Sequence, residues 1–280
     1  MNRQLGAFSL VDRIAAVEPG LRARGRFAIP AGIAAFPVSL VVESVGQLAA
    51  WSAMAAADFQ SRPVAGLAGL VEIFDEPRPG QILDLSVELQ HAEADAVAYG
   101  GLAEVDGRPL VRLTDCVGPM LPMPDFDDPQ AVRERFALLR GADAVPGQFA
   151  GIPPLPLQFE AIESGRELWA SLQVPASAAF FADHFPRRPV FPGTLLNDAM
   201  LRLATRLALG TQGETSAAGA RPSRVSDVKQ RAFIPPGETV ELAAILEEAD
   251  DRKTLLRLSA RMGGKAIAGA RVTIEHGAAA

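Results

Sequence analysis

Residues 183–193 read Asp183-His184-Phe185-Pro186-Arg187-Arg188-Pro189-Val190-Phe191-Pro192-Gly193. An apolar run of helical length follows at 194–209, so His184, one of three histidines in the chain, precedes a predicted helix. The N-terminus of a helix has free backbone N–H groups and the positive end of the helix dipole. An imidazole there could take a proton from a substrate while these N–H groups stabilise the developing negative charge. The segment therefore predicts chemistry at a carbon next to a carbonyl group.

Composition and charge limit the kind of protein that this can be. The chain has 280 residues, 49% of them hydrophobic, which is enough for two ordinary domains or one large domain. A formal net charge of −6 and the lack of a basic tract exclude a general affinity for nucleic acid. The single cysteine, Cys116, excludes an internal disulfide and is compatible with a reducing compartment.

The sequence predicts no targeting segment, membrane span, metal site or nucleotide cofactor. The N-terminal residues lack the apolar stretch of a signal peptide. Glu43 and Asp198 interrupt the two longest apolar runs, so we expect no membrane partner and a cytoplasmic location. The scattered histidines and the one cysteine do not form a metal-binding pattern, and no glycine-rich phosphate loop is present.

The chain contains an internal repeat. At an offset of 155 residues, Phe36-Pro37 aligns with Phe191-Pro192 and Glu43 aligns with Asp198. Further along, a Pro-Gly pair and several strand-like stretches of branched residues recur in both copies. Solenoid repeats have periods of 20–50 residues, so this long period indicates a duplicated domain.

Each copy is predicted to be one long helix followed by strands. The first helix spans 38–57, and the second spans 194–209 and ends at Gly210, since glycine often terminates helices. The later segments alternate in part and are bounded by turn residues, as antiparallel strands are. A helix that is apolar around most of its circumference must be wrapped by other structure. These features predict an α+β fold in which an antiparallel sheet curls around each long helix.

The repeat also predicts the domain boundaries. We expect an N-terminal domain at 1–120, a connection at 121–153 and a C-terminal domain at 154–280. The proline-rich connection contains a charged stretch at 130–140 that is predicted to be helical. The stretch 210–223 is rich in small and polar residues and is predicted to be a surface loop.

The motif His184-Phe-Pro-x-x-Pro-Val-Phe-Pro-Gly193, with Asp198 fourteen residues after the histidine, resembles the active-site segment of bacterial β-hydroxyacyl-ACP dehydratases of the hotdog fold. The resemblance implies a double hotdog, with two tandem hotdog domains that form an internal pseudo-dimer. It also implies dehydration of 3-hydroxyacyl thioesters to trans-2-enoyl thioesters in fatty-acid or polyketide-type lipid synthesis. The substrate would be carried on the phosphopantetheine of an acyl carrier protein or of CoA, with no further cofactor. Association into a larger homo-oligomer stays open.

The resemblance assigns roles to residues of both copies. In these dehydratases, the histidine and the acid of one site come from opposite members of a dimer. Carried over, this pairs His184 as the base with Glu43 as the acid, and Gln47 on the same helix face fixes the carboxyl group. The backbone N–H of Gly193 would bind the thioester carbonyl.

The equivalent second site would be inactive. Ile29 occupies the position that corresponds to His184, and Asp198 would then be a relic paired with Arg202. In the alternative assignment, the acid comes from the same copy, so that Asp198 is the partner of His184 and Glu43 is incidental. Both assignments stay open at this point.

Arg187 and Arg188 depart from the family pattern, which usually has glycine at the first of these positions. Near the mouth of the site, they could bind the pantetheine phosphate or an acidic carrier protein. They could equally be solvated surface arginines.

Two rival functions also stay open. A hotdog acyl thioesterase would use an acid to activate water and would not need the histidine segment. A non-catalytic module would bind acyl thioesters without converting them.

Overall fold

The computed structural model describes residues 6–142, 144, 147, 149–160, 165–212 and 219–277. In the N-terminal half, the long helix α1 spans Val38–Ala56. The strands of this half are β1 (Arg13–Glu18), β2 (Arg22–Ala28), β3 (Ser61–Pro63), β4 (Leu67–Ile73), β5 (Ile82–Ala92), β6 (Ala96–Val105) and β7 (Arg108–Pro122).

The predicted helix between the halves is confirmed as α2, Pro129–Arg140. The Asp128 side chain caps its N-terminus by accepting hydrogen bonds from the backbone N–H groups of Gln130 and Ala131. Its Phe136 ring packs against Trp51 of α1, with ring centres 6.0 Å apart. The connection is therefore packed onto the N-terminal half.

The C-terminal half repeats the order of one long helix followed by strands. Its helix, α3, spans Gly193–Gln212. The strands of this half are β8 (Leu157–Phe159), β9 (Glu167–Gln173), β10 (Arg221–Gln230), β11 (Thr239–Ala249), β12 (Lys253–Met262) and β13 (Lys265–Glu275).

One type of hairpin turn occurs at equivalent places in both halves. Asp106 and Gly107, with φ of 51° and 73°, join β6 to β7. Gly263 and Gly264, with φ of 55° and 75°, join β12 to β13. Positive φ at both central residues is the type I′ geometry, whose twist matches that of the flanking strands. Asp-Gly and Gly-Gly adopt this geometry at low cost, so these dipeptides set the register of both hairpins.

The halves share one continuous antiparallel sheet. Its strands follow the order β1-β2-β5-β6-β7-β4-β10-β13-β12-β11-β9-β8, and β3 pairs with β7 beside this path. The two halves are joined where β4 pairs with β10, with Val71 opposite Val225.

The long helices lie against the inner face of this sheet and contact each other. α1 packs against strands of the N-terminal half, and α3 packs against β9 to β13. The apolar residues Leu40, Val41, Val45 and Leu48 of α1 are fully buried. Each such side chain contributes about 1.5–3 kcal/mol of hydrophobic free energy. The predicted α+β arrangement of sheet around helix is therefore confirmed.

Two predicted boundaries differ from the structure. α3 continues through Gly210 to Gln212, because a single interior glycine costs only about 1 kcal/mol in a well-packed helix. The predicted loop at 210–223 is therefore shorter at both ends, since β10 begins at Arg221. Residues 213–218 of that loop lie outside the described residues. At the other boundary, β7 passes position 120 and ends at Pro122.

By length and composition alone, α1 would qualify as a membrane-spanning helix. Glu43 therefore does not prevent this apolar run from meeting the criteria for a membrane span, contrary to the expectation above. More than half of the helix is buried inside the protein, and the core helix of a folded domain passes the same test.

Candidate active site

A cavity of about 260 Å³ lies between the two halves. Its wall combines the middle of α1, strand β3, the start of α3 and the segment 183–193. Of the predicted site residues, His184, Glu43, Gln47 and Gly193 line it. The fold thus brings an imidazole of the second half and a carboxyl group of the first half into one cavity.

His184 has one ring nitrogen committed to the backbone. Nδ1 lies 2.9 Å from the carbonyl oxygen of Val190, and the Val190 N–H donates to the His184 carbonyl at 2.9 Å. Because a carbonyl oxygen can only accept, Nδ1 carries the proton and Nε2 keeps its lone pair. The imidazole is thus prepared to act as a base through Nε2.

Aromatic rings pack against this imidazole, and burial lowers its pKa. The ring of His184 stacks on Phe185, with ring centres 4.2 Å apart, and the edge of Phe8 approaches it at 5.7 Å. Burial lowers the pKa of His184, because the charged form is disfavoured in apolar surroundings. The negative charge of Glu43 acts in the opposite direction and is the smaller influence. The imidazole therefore stays neutral to a lower pH than an exposed histidine would.

Both carboxyl oxygens of Glu43 are held in place. Gln47 Nε2 donates to Oε1 at 2.9 Å, and the Thr194 hydroxyl donates to Oε2 at 2.8 Å. Gln47 is itself fixed, since it accepts from the Leu10 N–H at 2.8 Å and donates to the Phe8 carbonyl at 2.9 Å. Thr194 belongs to α3, so the second half orients an acid supplied by the first.

Asp198 is engaged elsewhere. Arg202, one helical turn later, donates to its Oδ2 at 3.0 Å and to the Leu155 carbonyl at 2.8 Å. Burial raises the pKa of Asp198, and the charge of Arg202 lowers it. Asp198 is not among the described residues that line the cavity. The structure therefore places Glu43, and not Asp198, in the cavity with His184; the catalytic roles of these residues stay predictions.

The equivalent position in the first half is filled with apolar side chains. Ile29 is only 2% exposed. Beside it, Phe149 of the connection packs edge-on against Phe27 and Phe36, with ring centres 6.1 Å and 5.7 Å away. Ser39, which corresponds to Thr194, has a buried hydroxyl with no partner among the described residues. The hydroxyl contact that orients Glu43 therefore has no counterpart at Asp198.

Gly193 begins α3, where the first-turn N–H groups have no acceptor within the helix. A Cβ atom at this position would lie 3.2 Å from the side chain of Gln230. Gln230 Nε2 donates to the Gly193 carbonyl at 3.4 Å and to the Asn197 Oδ1 at 3.1 Å. A larger residue would therefore crowd the side chain of Gln230, which would have to shift slightly.

Neighbouring segments hold the two arginines of the motif. Arg187 forms an ion pair with Asp128 at 3.6 Å and donates to the Pro124 carbonyl at 3.0 Å. The guanidinium of Arg188 lies over the ring of Phe233, 4.6 Å from its centre. Neither arginine is among the described residues that line the cavity. Their predicted role at the mouth of the site stays a prediction, since Arg188 packs on Phe233, which does line the cavity.

Comparisons with known proteins agree with the motif. A family model described as ApeI-like, ApeI dehydratase, matches residues 160–269. The 3-hydroxyacyl-[acyl-carrier-protein] dehydratase FabZ of Lactobacillus helveticus is 27% identical over 119 residues, which cover 41% of this chain and 78% of that protein. The second half is thus similar to hotdog-fold dehydratases. The family resemblance predicted from the 183–193 segment is thereby confirmed.

Solved structures show a likeness over most of the chain. The 12:0-ACP thioesterase from Umbellularia californica superimposes with a TM-score of 0.54 at 12% identity, over 91% of this chain and 94% of its own. An acyl-ACP thioesterase from Bacteroides thetaiotaomicron gives 0.53 at 11% identity, over 91% of this chain and 98% of its own. At such identities the likeness concerns the fold alone, and it confirms the hotdog fold.

Three residues that line the cavity were not predicted from the sequence: Thr194, Gln230 and Arg62. Thr194 carried a weak signal, since it follows the Pro-Gly pair of the motif and aligns with Ser39. Gln230 at the end of β10 and Arg62 in the middle of β3 lie outside any motif, so only the tertiary structure reveals them. Within the described residues, no group of three or more His, Cys, Asp or Glu side chains is placed to hold a metal ion.

Proposed function

We propose that this chain dehydrates 3-hydroxyacyl thioesters to trans-2-enoyl thioesters, with the substrate carried on the phosphopantetheine of an acyl carrier protein or of CoA. One observation carries the proposal: His184 and Glu43, from different halves, line one cavity at the N-terminus of α3. The FabZ relative is named for the same reaction on acyl-carrier-protein substrates.

The first step of the reaction uses His184 and the start of α3. Nε2 of the neutral imidazole removes the proton from C2 of the substrate. The electrons move onto the thioester oxygen, where the Gly193 N–H and the dipole of α3 stabilise the enolate. Both groups are rigidly placed, because the Val190 carbonyl fixes the imidazole and the helix fixes the N–H.

The second step of the reaction uses Glu43. The enolate expels the 3-hydroxyl group, and the protonated carboxyl group of Glu43 gives that hydroxyl its proton, so that water leaves. Gln47 and Thr194 hold the carboxyl group facing the cavity while this transfer occurs. Transfer of the proton from His184 back to Glu43 restores the enzyme. The acyl chain occupies the apolar part of the cavity beside Met54.

We infer further that the two halves are tandem hotdog domains and form an internal pseudo-dimer. The repeated element order, the paired type I′ turns and the central β4–β10 pairing support this inference. In this arrangement only one composite site is equipped for catalysis, since Ile29 replaces the histidine in the other.

Incubation with a 3-hydroxyacyl N-acetylcysteamine thioester tests the proposed reaction against hydrolysis. Dehydration predicts a new enoyl-thioester absorbance while the thioester stays intact. Release of free thiol without enoyl product would instead establish a thioesterase. Binding of the thioester with neither product would establish a non-catalytic module.

The pH dependence of the reaction should reflect the buried imidazole. Because burial lowers the pKa of His184, the base is protonated only below the ordinary value of 6.5. We expect kcat/KM to fall with decreasing pH along a limb whose midpoint lies below 6.5. NMR titration of the three imidazoles, with His184→Ala to assign the site signal, measures the same pKa directly. A midpoint above 6.5 in both measurements would contradict a neutral, buried base.

A further inference from the structure

Arg62 is a half-buried cation, with its Nε shielded from water, that the mechanism above does not use. It lies in β3, and its side chain lines the same cavity as His184 and Glu43. Burial lowers the pKa of its guanidinium to about 10, which indicates that the charge has little access to water. A buried charge normally has a partner, because an unpaired one is costly.

The neighbouring acids are already occupied. Among the described residues, Arg62 Nε has no hydrogen-bond acceptor and no carboxylate forms an ion pair with this guanidinium. Asp127, the acid with the strongest electrostatic influence on it, forms an ion pair with Arg135. Glu43 is held by Gln47 and Thr194. The guanidinium therefore retains unused donors at the cavity wall.

The position of Arg62 relative to the base limits what it can bind. Its guanidinium carbon lies 3.9 Å from the centre of the Phe185 ring, on which His184 stacks at 4.2 Å. The guanidinium carbon and the imidazole centre are therefore at most about 8 Å apart. An extended chain of six bonds spans roughly 7 Å, and the thirteen bonds from the thioester sulfur to the pantetheine phosphate span roughly 16 Å. When the reacting carbons of the substrate lie at His184 and the pantetheine arm is extended, the phosphate is thus too far away for Arg62 to bind.

We propose that Arg62 binds an oxygen acceptor of the substrate close to the reacting carbons. Two groups have this chemistry at this distance: the first amide carbonyl of the pantetheine arm, and a carboxylate about six bonds along the acyl chain. In either case the guanidinium gains the hydrogen bonds that it lacks in the free protein. Arg62 then selects which thioesters bind, and it takes no part in proton transfer. This inference deepens the proposed function and rests on the same cavity.

A binding measurement without turnover tests the proposal. Trp51 lines the cavity, so its fluorescence reports occupancy once the exposed Trp169 is replaced by phenylalanine. The probes are three thioesters: octanoyl ethanethiol, octanoyl N-acetylcysteamine, and the ethanethiol monothioester of octanedioic acid. Only the second carries the amide and only the third carries the carboxylate. None has a 3-hydroxyl group, so binding is measured whether or not the protein dehydrates hydroxyacyl substrates.

The decisive comparison is between Arg62→Met and Arg188→Met. Arg188 packs on the same aromatic cluster, 5.6 Å from the centre of the Phe126 ring, but lies outside the described cavity lining. We expect one of the two oxygen-bearing probes to bind wild type about 10- to 100-fold more tightly than octanoyl ethanethiol. Arg62→Met should abolish this preference, Arg62→Lys should restore part of it, and Arg188→Met should retain it.

The pattern of loss identifies the source of the acceptor. A preference for the N-acetylcysteamine probe assigns the amide, and a preference for the dicarboxylic probe assigns the acyl carboxylate. If Arg62→Met weakens all three probes equally, or none of them, Arg62 is a structural residue and the proposal is wrong. Failure of the proposed function would instead appear as absence of enoyl product from the 3-hydroxyacyl substrate with the binding preference intact.

Discussion

Replacing His184 with alanine should lower kcat about 100- to 10,000-fold, because the reaction then loses its only positioned base. The imidazole lies in the cavity with its Nδ1 committed to Val190, so Nε2 is the atom that meets the substrate. The measurement is the rate of enoyl absorbance from a 3-hydroxyacyl thioester at saturating concentration.

His91→Ala is the matched control for this change. His91 is exposed near the end of β5 and does not line the cavity among the described residues, so its loss should leave kcat unchanged. Thermal unfolding of both variants checks that the core is intact. If folded His184→Ala turned over substrate at the wild-type rate, the imidazole would not be the catalytic base.

Glu43→Gln should lower kcat by a similar factor of about 100 to 10,000. The amide has the shape of the carboxyl group and still contacts Thr194, but it cannot give a proton to the leaving hydroxyl. Asp198→Asn is the matched control, since it makes the same chemical change at the equivalent position of the other copy. It should leave kcat within about fivefold of wild type, because the part-exposed ion pair with Arg202 is worth about 1 kcal/mol or less.

The two variants also decide between the two acid assignments. If Asp198→Asn lowered kcat strongly and Glu43→Gln left it nearly unchanged, the catalytic acid would come from the same copy as the histidine. That outcome would require the α3 helix to present Asp198 to the cavity, although Arg202 and Leu155 hold it elsewhere in the structure.

Much of the fold was predictable because it depends on local patterns. α1 begins at the predicted residue and ends one residue before the predicted end, since its apolar spacing is long and uninterrupted. The hairpin turns of both halves consist of Asp106-Gly107 and Gly263-Gly264, which are dipeptides typical of such turns. The end of α3 was predicted wrongly, because the stop signal of Gly210 is weak and packing overrides it.

The site was predictable only in part. His184 and Gly193 belong to one continuous motif, so the sequence shows them together. Glu43 lies 141 residues earlier, and its pairing with His184 came from the family resemblance, since spacing left Asp198 as an alternative. Arg187 and Arg188 belong to the motif as well, yet neither is among the described residues that line the cavity, and neighbouring segments hold both side chains.

By itself, the sequence determined the repeat, the two long helices, the hairpin turns and the histidine segment, because each depends on residues that are neighbours along the chain. Only the tertiary structure decided which acid shares a cavity with His184, that Thr194 orients this acid, and that Arg62 faces the cavity with donors unused. The contact between Thr194 and Glu43 joins α3 of the second half to α1 of the first half. Contacts between distant segments depend on how two packed surfaces fit together, and local periodicity carries no record of that fit.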